Sequence, residues 1–252
     1  MSLKFWSILI PALIITAGGV LIYFDYSSQQ GAEELSEFER YHGQQPADHE
    51  HTRDTLANQS ALPEPDSLQM DRILRIEEEI DQTDNTSLKV AYYGEMIQIY
   101  IDSDRLDAAG DAGYRLAELT READDWINAG DMFYSWLDDE PNESRRYYFA
   151  ARAAEAYKRA VEQKPDDYEL RTDKAAALIA AGEPEQAETE LKKALDANED
   201  YLDANYNLGV ILYNRGSKDQ SISYLKRSVE LAQNTERQAM VEQFIEENDI
   251  TL

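Results

Sequence analysis

The chain has 252 residues, enough for one domain with additional segments, and it contains no cysteine. Its 51 acidic residues outweigh 24 basic ones, giving a net charge of −27. That balance argues against nucleic acid as a partner, because no basic stripe is left to neutralise phosphates. The missing thiols exclude disulfides and cysteine nucleophiles.

Residues 1–4 are a short N-terminal tail. Phe5 to Phe24 then run without a charge, and roughly 20 apolar residues match the ~30 Å hydrocarbon core when helical. Trp6 at one edge, with Tyr23 and Tyr26 at the other, are placed as interfacial aromatics. This run predicts one transmembrane helix over 5–24 in contact with a lipid bilayer. A leader cleaved near Ala17-Gly18-Gly19 is the alternative, but the run exceeds the roughly 7–15 residues of such segments. Lys4 precedes the span and only Arg40 is basic in the twenty residues that follow it. The positive-inside tendency therefore puts the N-terminus in the cytoplasm and the rest outside, as in a bacterial inner-membrane protein facing the periplasm.

Residues 25–65 are polar, include Pro46, Pro63 and Pro65, and read as a disordered tether. All three histidines, His42, His49 and His51, fall here. Imidazoles beside Asp48 and Glu50 are metal-ligand types, yet their spacing in an unstructured segment holds no preformed site. They are weak metal candidates, and no cofactor is expected.

Asp66-Ser-Leu-Gln69 offers a capping box, and Met70, Ile73, Leu74, Glu77 and Ile80 follow at helical spacing. One lead-in helix over 66–84 is expected, covering what comes next; self-association through it is the alternative. From residue 85 to 234 the pattern becomes paired helices. Leu88 to Asp102 is the first, and Asp104 is expected to cap its partner, which carries Gly110, Tyr114 and Ala117. Trp126, Gly130 and Phe133 mark another first helix, with Ala153, Tyr157 and Ala160 on its partner. Gly130 and Ala153 are 23 positions apart, whereas Gly209 and Ser221 are 12 apart, an insertion of eleven. The insertion is expected to lengthen both helices and make them project. Ser217 with Gln220, and Thr235 with Gln238, offer further capping boxes, the latter opening a final capping helix within 235–252.

Between Tyr168 and Gln233 the chain repeats itself. Ala175 with Gly209, Leu178 with Leu212, Gly182 with Gly216, Ala187 with Ser221 and Leu191 with Leu225 are each 34 apart. That is the period of a helix–turn–helix solenoid unit. Asn205-Tyr-Asn-Leu-Gly-Val-Ile-Leu-Tyr-Asn-Arg-Gly216 resembles the tetratricopeptide repeat (TPR) motif. The expected fold is all-α: a TPR-type α-solenoid of about four antiparallel helix pairs, with 168–201 and 202–235 the clearest.

The resemblance implies a partner-binding face on the first helix of each pair. Matched residue by residue, it assigns Glu169, Thr172, Ala176 and Ile179 in one repeat, and Asp203, Tyr206, Asn207, Val210, Tyr213 and Asn214 in the next. Repeats of this family that grip C-terminal carboxylates use lysines and arginines on this face, and those are missing here. The implied ligand is a basic or apolar protein or peptide. Residues 52–252 contain no histidine or cysteine, and no phosphate-cradling loop is present, so catalysis is not expected. The implied function is a membrane-tethered scaffold or adaptor, resembling bacterial TPR proteins that assemble envelope, secretion or cytochrome complexes. The alternatives are a homo-oligomeric structural subunit, or a metal or cytochrome-assembly accessory that uses the histidine tether.

Overall fold

The computed structural model describes residues 12–15, 21–24, 64–138, 140, 142–233 and 235–252. Within the apolar run, Ala12–Ile15 (β1) and Leu21–Phe24 (β2) pair as antiparallel strands, Ala12 opposite Phe24 and Ile15 opposite Leu21. This departs from the single helix expected over 5–24. The β-branched Ile14, Ile15 and Ile22 flank Gly18-Gly19 in sequence, a pattern that suits a hairpin as well as a helix. Among the described residues, no helix is long and apolar enough to cross a membrane. Most of the tether, with His42, His49 and His51, lies outside the described residues.

The described residues fall into two compact units, one within 49–198 and the other holding 199–252. In the first, α1 (Ser67–Gln82) begins at a complete capping box. Asp66 Oδ1 accepts from the Leu68 and Gln69 amides at 2.9 and 2.8 Å, and Gln69 Oε1 accepts from the Asp66 amide at 2.8 Å. Asp66→Ala is expected to cost about 1 kcal/mol and to fray the first turn, which amide hydrogen exchange at residues 67–70 would register. Ile73, Ile76 and Ile80 share one face of α1. They pack on Met96 and Tyr100 of α2 (Thr86–Asp102) and on Ala108, Ala109 and Ala112 of α3 (Leu106–Thr120).

Two further pairs follow: α4 (Ala123–Ser135) with α5 (Glu143–Gln163), and α6 (Tyr168–Ala180) with α7 (Pro184–Ala197). Small residues let these helices approach closely. A Cβ on Gly110 would lie 2.6 Å from the Phe133 ring, and one on Gly130 would lie 2.7 Å from the Tyr157 ring.

The turns after α2 and α6 are closed by one device. After α6, Gly182 takes φ 75°, its amide binds Ile179 O, and the Glu183 amide binds Leu178 O at 2.8 Å. This is a Schellman closure, which satisfies the last helical carbonyls and needs a left-handed residue. After α2 the same closure occurs with Asp104 at φ 56° and the Arg105 amide on Tyr100 O at 2.8 Å. Asp104 therefore ends α2 rather than capping α3, as Asp tolerates the left-handed region better than most residues. Asp104→Gly is expected to raise stability by about 1 kcal/mol, measurable by denaturant unfolding.

The insertion in the second pair lengthens only one helix. α4 keeps 13 residues, the same as α6, whereas α5 reaches 21. A short 3₁₀ turn, Trp136–Asp138, connects them. The extra turn of α5 does not project as expected: Trp136, Leu137, Glu140, Arg145 and Phe149 are all buried. Arg145 Nε lies 2.7 Å from Glu140 Oε2, and Arg145 Nη2 lies 3.9 Å from Asp107 Oδ2 at the start of α3. Trp136 Nε1 and the Asn142 amide also donate to Glu140, at 3.2 and 2.9 Å. Arg105 grips Asp107 with two bonds of 2.8 and 3.0 Å. Phe149 stacks on Phe133 at 5.9 Å. Each of these buried charges has a partner, so none is left uncompensated on the folded-back path.

The second unit holds α8 (Leu202–Asn214), α9 (Lys218–Ala232) and α10 (Gln238–Glu247). Gly209 lets α8 and α9 touch: a Cβ there would lie 2.8 Å from Leu225, and Ser221 Oγ donates to Gly209 O at 2.8 Å. Gly216, at φ 82°, repeats the closure seen at Gly182, with the Ser217 amide on Leu212 O at 2.9 Å. The Ser217 side chain makes no capping bond. Thr235 does not cap α10 either; Arg237 holds that position without a side-chain capping bond.

Candidate partner-binding face

In the first unit, α6 carries four matched residues. Glu169 is exposed in its first turn, while Thr172, Ala176 and Ile179 are buried. Thr172 Oγ1 donates to Tyr168 O at 2.8 Å, an i−4 bond that keeps the hydroxyl on its own helix. Most of this face therefore offers no surface.

Shifting the same offsets from Gly209 to Gly130 identifies residues on α4 that the sequence reading passed over. They are Asp124, Ile127, Asn128, Asp131, Tyr134 and Ser135. Asp124, Asn128, Asp131 and Ser135 are exposed or half-exposed, Ile127 is half-buried and Tyr134 is buried. The signal was available, since Gly130 stands where Gly209 does; the insertion after α4 obscured it. Asp131 accepts a 2.7 Å bond from the Tyr157 hydroxyl, whose ring lies against Gly130. Partial desolvation raises the Asp131 carboxyl above its ordinary value, and the Tyr157 bond opposes this. Burial pushes the Tyr157 phenol well up, with Asp131 and Asp173 adding to the effect.

The native chain keeps the Asp131 proton to higher pH than the unfolded chain does. Stability therefore falls as pH rises from the ordinary carboxylate value through the raised one. Asp131→Asn, still an acceptor for Tyr157, is expected to flatten that part of the profile in unfolding midpoints taken against pH.

Cations of the following helix pair are engaged within it. Arg171, Lys174 and Lys193 converge on Glu190, the two lysines at 3.3 and 3.0 Å. Burial alone would raise Glu190, but Lys193 and Lys174 outweigh it and hold the carboxyl below its ordinary value. Lys164 reaches Asp124 at 2.6 Å.

In the second unit the matched face of α8 is largely enclosed. Tyr206, Asn207 and Val210 are fully buried, Asp203 is nearly so, and Tyr213 and Asn214 are half-buried. Asp203 Oδ1 lies 2.9 Å from Arg237 Nη1. Phe244 of α10 meets the Tyr206 and Tyr213 rings edge-on, each at 5.8 Å. Among the described residues, no group of His, Asp or Glu side chains is arranged to hold a metal ion.

The tetratricopeptide repeat family profile matches residues 150–198 and 178–243. No curated protein sequence matches the chain. Among solved structures, YrrB, described as a TPR protein with an unusual peptide-binding site, has a TM-score of 0.50 at 14% identity, covering 84% of this chain and 98% of its own. MamA gives 0.46 at 16% identity, covering 63% and 85%. A thermophilic TPR protein of Thermus thermophilus gives 0.47 at 15% identity, covering 69% and 88%. At such identities YrrB speaks to the fold alone. The repeated 34-residue closure, the small-residue contacts and the profile agree in likening residues 150–243 to tetratricopeptide repeats.

Proposed function

We propose that the protein is a membrane-tethered TPR scaffold that captures basic or apolar segments of other proteins outside the cytoplasm. The observation that carries the partner chemistry is the open α4 face. Asp124, Asn128 and Asp131 reach solvent there, while Arg171, Lys174 and Lys193 are turned onto Glu190. An acidic face on a chain of charge −27 steers cationic partners and repels acidic ones. The peptide-binding site ascribed to YrrB is in keeping with this reading.

Tethering rests on the charge-free run Phe5 to Phe24. An anchor raises the local concentration of the scaffold near membrane-bound clients without any new contact. Alkaline extraction of native membranes should leave the chain in the pellet, and protease added outside the cytoplasmic face should digest residues 66–252. Release into the supernatant would end the anchor reading.

Pull-down from native membranes tests the scaffold. Asn128→Ala with Asp131→Asn is expected to weaken client capture about tenfold, with a cooperative unfolding transition retained. Undiminished capture would remove α4 as the contact face. Leu68 and Leu74, exposed on α1, favour a second reading, self-association through that helix. Sedimentation of the detergent-solubilised chain as a strict monomer would exclude it.

A further inference from the structure

α10 rests on the very face of α8 that the repeat alignment assigns to a partner. Arg237 pairs with Asp203 at 2.9 Å, and both side chains are sheltered from solvent. Phe244 is 3% exposed, with its ring against Tyr206 and Tyr213. The Tyr213 hydroxyl donates to Asn248 O at 3.0 Å. Three matched residues, Asp203, Tyr206 and Tyr213, are thus held by one short segment, 237–248.

That segment has little stability of its own. α10 has ten residues, fewer than the roughly 12–15 at which even good isolated helices become marginal. Its N-cap makes no side-chain capping bond, and its first turn carries no acidic residue to complement the helix dipole. Glu242, Gln243, Glu246 and Glu247 face solvent. Its order depends on Val241 and Phe244, the residues it buries. Elements held by so few apolar contacts open at lower free energy than the core they cover.

We propose that residues 237–248 are an internal occupant of a client-binding face, displaced by a client that presents the same two groups. The fitting client is an amphipathic helix with a cation and an aromatic ring seven residues apart, the spacing of Arg237 and Phe244. Seven residues span about 10.5 Å, two turns, so both groups lie on one face. The cation takes the Asp203 carboxylate and the ring takes the edge of Tyr206 and Tyr213. A client whose outer face is basic outcompetes α10, whose own outer face is acidic on a strongly negative protein. This inference rests on the scaffold reading and names a second face for it.

The test uses the full chain and a labelled helical peptide carrying Arg and Phe seven apart on an alanine, lysine and glutamine background. The peptide is expected to bind the Phe244→Ala protein at least about tenfold more tightly than the unaltered one, since the occupied state no longer taxes affinity. Adding Tyr206→Ala and Tyr213→Ala should abolish the gain, and a peptide with alanine in place of Phe should not show it. In the unaltered protein, α10 amides should exchange with solvent at least about a hundredfold faster than those of α8 and α9. Equal peptide affinity for the two proteins, or α10 amides protected as well as those of α8, overturns the proposal. If either occurs while client capture still depends on Asn128 and Asp131, the scaffold reading stands and only the internal occupant falls.

Discussion

Arg145→Ala is expected to lower the unfolding free energy of the repeat domain by about 3–5 kcal/mol. The magnitude follows from what remains rather than from what is lost. Glu140 has a fully buried side chain, with its Oε2 2.7 Å from Arg145 Nε. Truncation leaves that carboxylate buried without its countercharge, held only by Trp136 Nε1 and the Asn142 amide. Asp107 keeps Arg105, and so suffers less. The matched double variant, Arg145→Met with Glu140→Leu, is expected to recover more than half of the loss, because an apolar pair of similar volume carries no uncompensated charge. A double-mutant cycle in urea measures both. If the single variant costs under about 1 kcal/mol, the pair is solvated and the insertion is not packed as described.

Gly130→Ala is the second large effect, an expected loss of about 1–3 kcal/mol. The added methyl would meet three carbons of the Tyr157 ring at 2.7, 2.8 and 2.9 Å. The ring cannot swing aside, as it is 3% exposed and its hydroxyl is bound to Asp131. The neighbouring repeat shows the remedy. There Ala175 stands at the Gly130 position and Leu191 at the Tyr157 position, both fully buried. In a Tyr157→Leu background, Gly130→Ala is therefore expected to be nearly neutral, since a branched aliphatic chain can move where a planar ring cannot. Thermal unfolding of the four proteins checks the cycle. An equal cost of the glycine substitution in both backgrounds would show that backbone, rather than the ring, limits the approach.

The repeat itself was legible from residues alone. Gly182 and Gly216, 34 apart, end equivalent helices with the same left-handed closure, and Ala175 and Gly209 occupy equivalent close contacts. Such positions tolerate few residue types, so their spacing survives in sequence. The Asp66 capping box was legible for the same reason, being a local arrangement of four consecutive residues. Asp104 was misread because an aspartate before a helix suits two roles, and only its backbone angle distinguishes them.

The sequence by itself thus determined the helix pairs, their period and the net charge, because these depend on short-range geometry and composition. Tertiary structure alone decided which matched residues remain open. The α8 face carries the better motif yet is enclosed, with Phe244 and Arg237 arriving from α10. The α4 face carries the poorer motif and is open. It also decided that the insertion folds back, since Arg145, Glu140 and Asp107 converge from three places in the chain. Exposure and ion pairing are set by which distant segments meet, and a pattern of neighbours along one helix does not encode that.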